Sequence, residues 1–83
     1  MMRWQALMVI MDENKEKYMP VEMNVMDGIL PKNNKHDIMR MVDICNVNYK
    51  EDGIVFVDMF GIIYEDKVET WEVSDELQRK LDR

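Results

Sequence analysis

Apolar and polar positions follow one another along this chain in patterns that assign most of it to strands and helices. From Trp4 to Met11 every residue but Gln5 is apolar, and the polar cluster Asp12–Lys17 closes the run, which reads as a strand entering a hairpin loop. Val21 to Met26 alternates, with Val21, Met23 and Val25 on a core face, and returns as a second strand. Pro20 has no amide proton, so this strand lies at a sheet edge or begins just after the proline. Asp27-Gly28 turns the chain toward a helix with Asn33 or Asn34 as its N-cap. Ile38, Met41, Val42 and Cys45 then form one helical stripe, with His36, Arg40 and Asp43 on the opposite face. The segment Tyr49–Gly53 is a turn signal with glycine in the left-handed region. It predicts a short strand around Val47–Lys50 paired with the long apolar run Ile54–Tyr64. Gly61 marks a bulge in that run. Glu65-Asp66-Lys67 turns into a strand over Val68–Val73. Ser74-Asp75-Glu76 opens a last helix with a Leu77/Leu81 seam and with Arg79, Lys80 and Arg83 toward its end.

The element order is therefore β-β-α-β-β-β-α. It implies an α+β fold, a mostly antiparallel sheet of four to five strands with two helices against one face, in a single domain over residues 1–83.

One residue breaks the pattern. Asp58 sits inside the longest apolar run, where an ionised carboxylate costs several kcal/mol unless it is paired, bonded or solvated. Either the strand leaves the core there, or the carboxylate bonds a basic side chain or the backbone amides of a bulge, or it is a buried functional carboxylate.

Composition narrows the class. A chain of 83 residues, 47% hydrophobic and 34% charged, is too apolar for disorder and has room for one core only. A single cysteine excludes an internal disulfide framework, and no Cys/His spacing suggests zinc, so neither metal nor other cofactor is expected. One thiol also suits a reducing cytoplasm. The run Ala6–Met11 is too short to span a bilayer and is followed by acids, so neither a membrane segment nor a signal peptide is expected. A net charge of −6 argues against direct nucleic-acid binding and leaves a basic protein as the complementary partner. The excess of Lys, Asn, Ile, Met, Asp and Glu suits an A/T-rich gene of a low-GC bacterium or its phage.

Chemistry-bearing residues are few. Ser74 reads as a helix cap, Cys45 as a buried thiol, and His36 as a solvated imidazole, with Thr70 the remaining hydroxyl. No nucleophile–base set emerges, and a minimal enzyme centred on Asp58 is the least favoured class. Two features point to contact instead. Ten methionines exceed what a small core needs, so some are expected on an adaptable surface and the chain is expected to self-associate. The segment Glu65–Glu76 carries six acids and one base, and its Glu65, Asp66, Glu69 and Glu72, with Trp71, are candidates for an acidic ridge that docks on a basic protein. The expected function is thus a small acidic protein-binding module of adaptor or inhibitor type. The alternative is a self-associating structural protein with no separate ligand.

Overall fold

Trp4, Ala6 and Met8 point to one side of the first strand and Leu7 and Val9 to the other, and all five are buried. A strand buried on both faces belongs in the middle of a sheet. The computed structural model places it there. It describes residues 3–12, 14, 16–23 and 26–81, with only the backbone of Met26 and Asp27. The strands are β1 (Arg3–Met11), β2 (Tyr18–Glu22), β3 (Met26–Asp27), β4 (Val55–Tyr64) and β5 (Lys67–Thr70), and the helices are α1 (Lys35–Asn48) and α2 (Asp75–Leu81). The sheet order is β2-β1-β4-β5, all antiparallel, and the two-residue β3 pairs with the start of β1. The fold is α+β, as the pattern implies. Val25 and Arg83, expected on the core face and at the end of the last helix, lie outside the described residues.

β2 is an edge strand and carries Pro20 opposite Val9. The Met23 N–H donates to the Ala6 carbonyl at 2.9 Å. Bonded and non-bonded pairs alternate, so Met8–Val21 and Ile10–Met19 are bonded pairs and Val9–Pro20 is not. The missing amide of Pro20 therefore faces away from β1 and costs the ladder nothing.

β4 departs from simple alternation. Its residues Phe56, Met59 and Ile62 are all in the core, at a spacing of three. Two irregularities in the β1–β4 register explain this. Ile10 pairs with Phe56 but Val9 with Asp58, and Met8 pairs with Met59 but Leu7 with Gly61. Val57 and Phe60 are the extra residues, and each resets which face the next residue takes. The bulge expected at Gly61 thus lies one residue earlier. Gly61 is needed for close approach instead, since a Cβ there would come 2.5 Å from the Glu69 carbonyl oxygen and 2.9 Å from Leu7 Cδ1.

The Asn34 Oδ1 accepts the Asp37 N–H at 2.9 Å and starts α1, as the cap signal implies. Met41 and Cys45 are buried against the Ala6, Met8 and Met59 side of the sheet, flanked by Ile38 and Val42. Two sequence expectations are corrected here. The strand around Val47–Lys50 does not form: α1 runs through Asn48, a 3-10 turn covers Lys50–Asp52, and Gly53 closes it at φ 72°. Tyr49 packs its ring 5.5 Å from that of Phe56, so a tertiary contact holds a segment whose β-prone side chains suggested a strand. The helices also do not share a face. Leu77 of α2 is buried but outside the core cluster of α1, and Leu81 lines a cleft with Pro20, which lies opposite Val9. α2 covers the second face of β1, and Lys80 ties it to β2 with its ammonium 5.0 Å from the centre of the Tyr18 ring.

Candidate functional site

Among the described residues no strand lies beyond the first half of β4, because β5 pairs only with Gly61–Tyr64. Side chains stand in for the missing strand. Asn46, on the flank of α1, accepts the Phe56 N–H through Oδ1 at 2.8 Å and donates Nδ2 to the Phe56 carbonyl at 3.0 Å. One amide group thus answers both ladder groups of one residue. The Asp58 Oδ1 accepts the Met59 N–H at 2.8 Å, and the Trp71 indole N–H donates to the Met59 carbonyl at 2.8 Å. The Trp71 backbone N–H completes the row on the Phe60 carbonyl at 2.8 Å.

Asp58 is accordingly a half-buried carboxylate at a bulge, bonded to a backbone amide. Burial raises its carboxyl above the ordinary range, and the Met59 N–H offsets part of that rise. Asp58, Val57 and Ser74 separate two clefts. The larger, about 560 Å³, lies between α1 and β4, with Ile38, Met39 and Val42 as apolar wall and Lys35 and Asp43 at its rim. The smaller, about 240 Å³, lies toward α2 and is bounded by Tyr18, Leu77 and Lys80. The larger cleft offers apolar contact beside Asp58, whose first oxygen is already engaged, and Asp43, whereas the smaller is lined by polar groups as well, Glu76 and Lys80 among them.

Ser74 lines both clefts with Asp58, and Cys45, His36 and Thr70 lie outside them. Ser74 Oγ accepts the Leu77 N–H at 3.3 Å and caps α2. Cys45 is buried, and burial raises its thiol pKa. His36 is exposed in the first turn of α1, and Thr70 is exposed on β5. Among the described residues no group of three or more His, Cys, Asp or Glu is placed to hold a metal ion.

The acidic segment forms the hairpin of β4 and β5. Glu65 and Asp66 make its two-residue turn with φ of 46° and 63°, a left-handed pair that usually selects Asn-Gly. All of β5 is exposed, Glu69 lies on it opposite Ile62, and Glu72 follows exposed. Trp71 does not share that exposure. It packs against the core with its indole N–H spent on β4, so four acids line the hairpin without an aromatic at their centre. Lys67 is the one base among them, its ammonium 5.8 Å from the centre of the Tyr64 ring.

The methionines divide. Met8, Met23, Met41 and Met59 are buried, whereas Met19 and Met39 are 43% and 54% exposed. Met39 stands at the mouth of the larger cleft. Asn46 is the residue that sequence reasoning missed. Its only signal was an amide beside the apolar stripe of α1, one of several polar positions there. No helix among the described residues is long and apolar enough to cross a membrane. Comparison of the chain with protein families, with curated proteins and with solved structures finds no match.

Proposed function

We propose that the chain is a small cytoplasmic protein-binding module, of adaptor or inhibitor type, that acts by contact and not by chemistry. Its contact surface is the β4–β5 hairpin, and its partner presents basic side chains. One observation carries this reading. The turn holds two acids in a left-handed conformation that costs about 1 kcal/mol or more per non-glycine residue, where Asn-Gly costs less. The tip thus carries charge against local backbone preference. Glu69 on the exposed β5 and Glu72 just beyond its end extend the charge, and electrostatic complementarity of this kind selects partners and speeds association. The structural tasks of Ser74, Cys45 and Asp58 also favour contact over catalysis.

A basic peptide tests the reading. An acetylated and amidated heptapeptide of alternating Lys and Val should bind at low ionic strength, weaken as salt rises, and lose binding when Glu69 and Glu72 are both changed to Lys. Undiminished binding by that double variant would refute the hairpin as the contact surface.

Self-association is the second reading, favoured by the exposed Met39, Ile44 and Val47 on α1. Light scattering separates it: a mass above 10.0 kDa that rises with concentration supports it, and a constant monomer mass removes it.

A further inference from the structure

We infer that the outer edge of β5 is a strand-addition site for an extended basic segment of a partner protein. The inference rests on the binding-module reading and specifies its contact.

The register shows which groups are on offer. A two-residue turn makes Tyr64 and Lys67 a bonded pair, and the Trp71 N–H to Phe60 carbonyl bond keeps the same phase along the strand. Val68 and Thr70 then occupy the alternate positions, with N–H and C=O pointing away from β4. Among the described residues nothing bonds these four groups. Elsewhere the edges are interrupted: β2 carries Pro20, which offers no outward amide proton in the middle of the strand, and the first half of β4 is covered by Asn46, Asp58 and Trp71. Proline, bulges and covering side chains are the usual means of blunting an edge, and β5 has none of them. It has only shortness and charge.

That charge also identifies the occupant. A second copy brought to this edge would set Glu65, Asp66, Glu69 and Glu72 of both chains together against two lysines, at a net −6 per chain. Like charges directly opposite in a ladder are destabilising. A basic strand meets the reverse. Antiparallel to β5, it forms bonded pairs with Val68 and Thr70, and its intervening residue lies in the close, non-bonded position opposite Glu69. Lys or Arg fits there. The flanking residues stand beside the Val68 side chain, 66% exposed, and the Thr70 methyl, where β-branched residues fit. The recognised pattern is apolar, basic, apolar in extended conformation, a form of recognition in which backbone bonds give affinity and alternate side chains give specificity.

Backbone methylation isolates the ladder from the charge. In the alternating Lys/Val heptapeptide, N-methylation of the Val residues blocks the edge that meets Val68 and Thr70. N-methylation of the Lys residues blocks only the far edge, with charge unchanged. The Val-methylated peptide should bind at least about tenfold more weakly than the parent, and the Lys-methylated peptide within about threefold of it. In exchange measurements on the intact chain, the Val68 and Thr70 amides should exchange rapidly alone and slowly with the parent peptide. Equal binding of both methylated forms, still lost in the Glu69/Glu72 double variant, overturns strand addition while leaving acidic docking in place. Failure of the parent peptide to bind at low salt overturns both. A dimer that Val68→Pro converts to monomer, with circular dichroism unchanged, assigns the edge to a second copy and overturns the basic occupant.

Discussion

Two stretches of the same sheet edge differ in how their backbone is answered. Along Val55–Phe60 the groups turned away from β1 meet Asn46, Asp58 and Trp71, whereas along Lys67–Thr70 those turned away from β4 meet nothing among the described residues. The first stretch is closed by side chains from α1, from the strand itself and from the segment leading to α2. The second is guarded only by its shortness and its charge. Side-chain closure excludes every incoming strand, because the backbone groups are already bonded. Charge excludes selectively: it repels an acidic strand and attracts a basic one. A short chain thus carries a blocked edge and a selective edge within one ladder.

The comparison breaks first at Gly61, where β5 approaches β4 most closely. Gly61→Ala places a methyl group 2.5 Å from the Glu69 carbonyl oxygen, a backbone atom that cannot yield without moving β5. Denaturant melts should show a loss of about 3 kcal/mol, and protection of the β5 bonds should fall more than that of β1–β2. Asn46 is the corresponding lesion on the closed stretch. Asn46→Ala leaves the Phe56 N–H and C=O without partners and should cost about 2 kcal/mol, and Asn46→Asp, which keeps an acceptor but no donor, should cost less. If Asn46→Ala is neutral, the stretch is not closed by side chains and the contrast with β5 disappears.

Much of this fold is legible from local chemistry. The stripe Ile38, Met41, Val42 and Cys45, the caps at Asn34 and Ser74, and the left-handed Gly53 each depend on neighbours within one or two turns. What was not legible depends on residues far apart in sequence. The bulges at Val57 and Phe60 put Phe56, Met59 and Ile62 on one face, a spacing that strict alternation cannot anticipate. Val47 and Tyr49 carry strand-prone side chains, yet α1 continues and the Tyr49 ring packs tilted against that of Phe56. Asp58 was visible as an anomaly, and a bond to the amide of a bulge was one of its readings. Asn46 and Trp71 gave no such warning, because their roles follow only from where β5 stops. The opposite placement of α2 likewise required knowing that Leu7 and Val9 are buried.

A smaller change sharpens the selective stretch. Replacing Glu65 by Asn and Asp66 by Gly supplies the residues that the left-handed turn prefers and should raise stability by about 1 kcal/mol. The same change removes two acids from the tip, so binding of the alternating Lys/Val heptapeptide should weaken. Stability and binding moving in opposite directions is the signature expected of charge retained for contact. If both rise, the tip acids have no part in binding.

Asp58 gives the smallest effect and the one whose sign is most informative about the closed stretch. Its carboxyl titrates above the ordinary value because burial outweighs the Met59 N–H bond. As pH falls, the folded chain therefore takes up this proton before the unfolded chain does. Between the two pKa values the folded state binds more protons, so stability declines as pH rises through that window and the penalty is constant above it. Asp58→Asn keeps an oxygen for the Met59 N–H and cannot ionise. It should be more stable than the parent at neutral pH by less than about 1 kcal/mol, with the difference vanishing below about pH 4. Asp58→Ala loses the bond and should cost about 1 kcal/mol below about pH 4, and less at neutral pH, where the parent carries the penalty of ionisation. Denaturant melts of the three proteins from pH 3.5 to 7.5 check both expectations, those bounds being roughly the carboxylate range and neutrality. If Asn is less stable than Asp at neutral pH and the gap closes on acidification, the negative charge itself holds the bulge. The closed stretch would then depend on electrostatics as the open one does, and the distinction between the two edges would have to be drawn elsewhere.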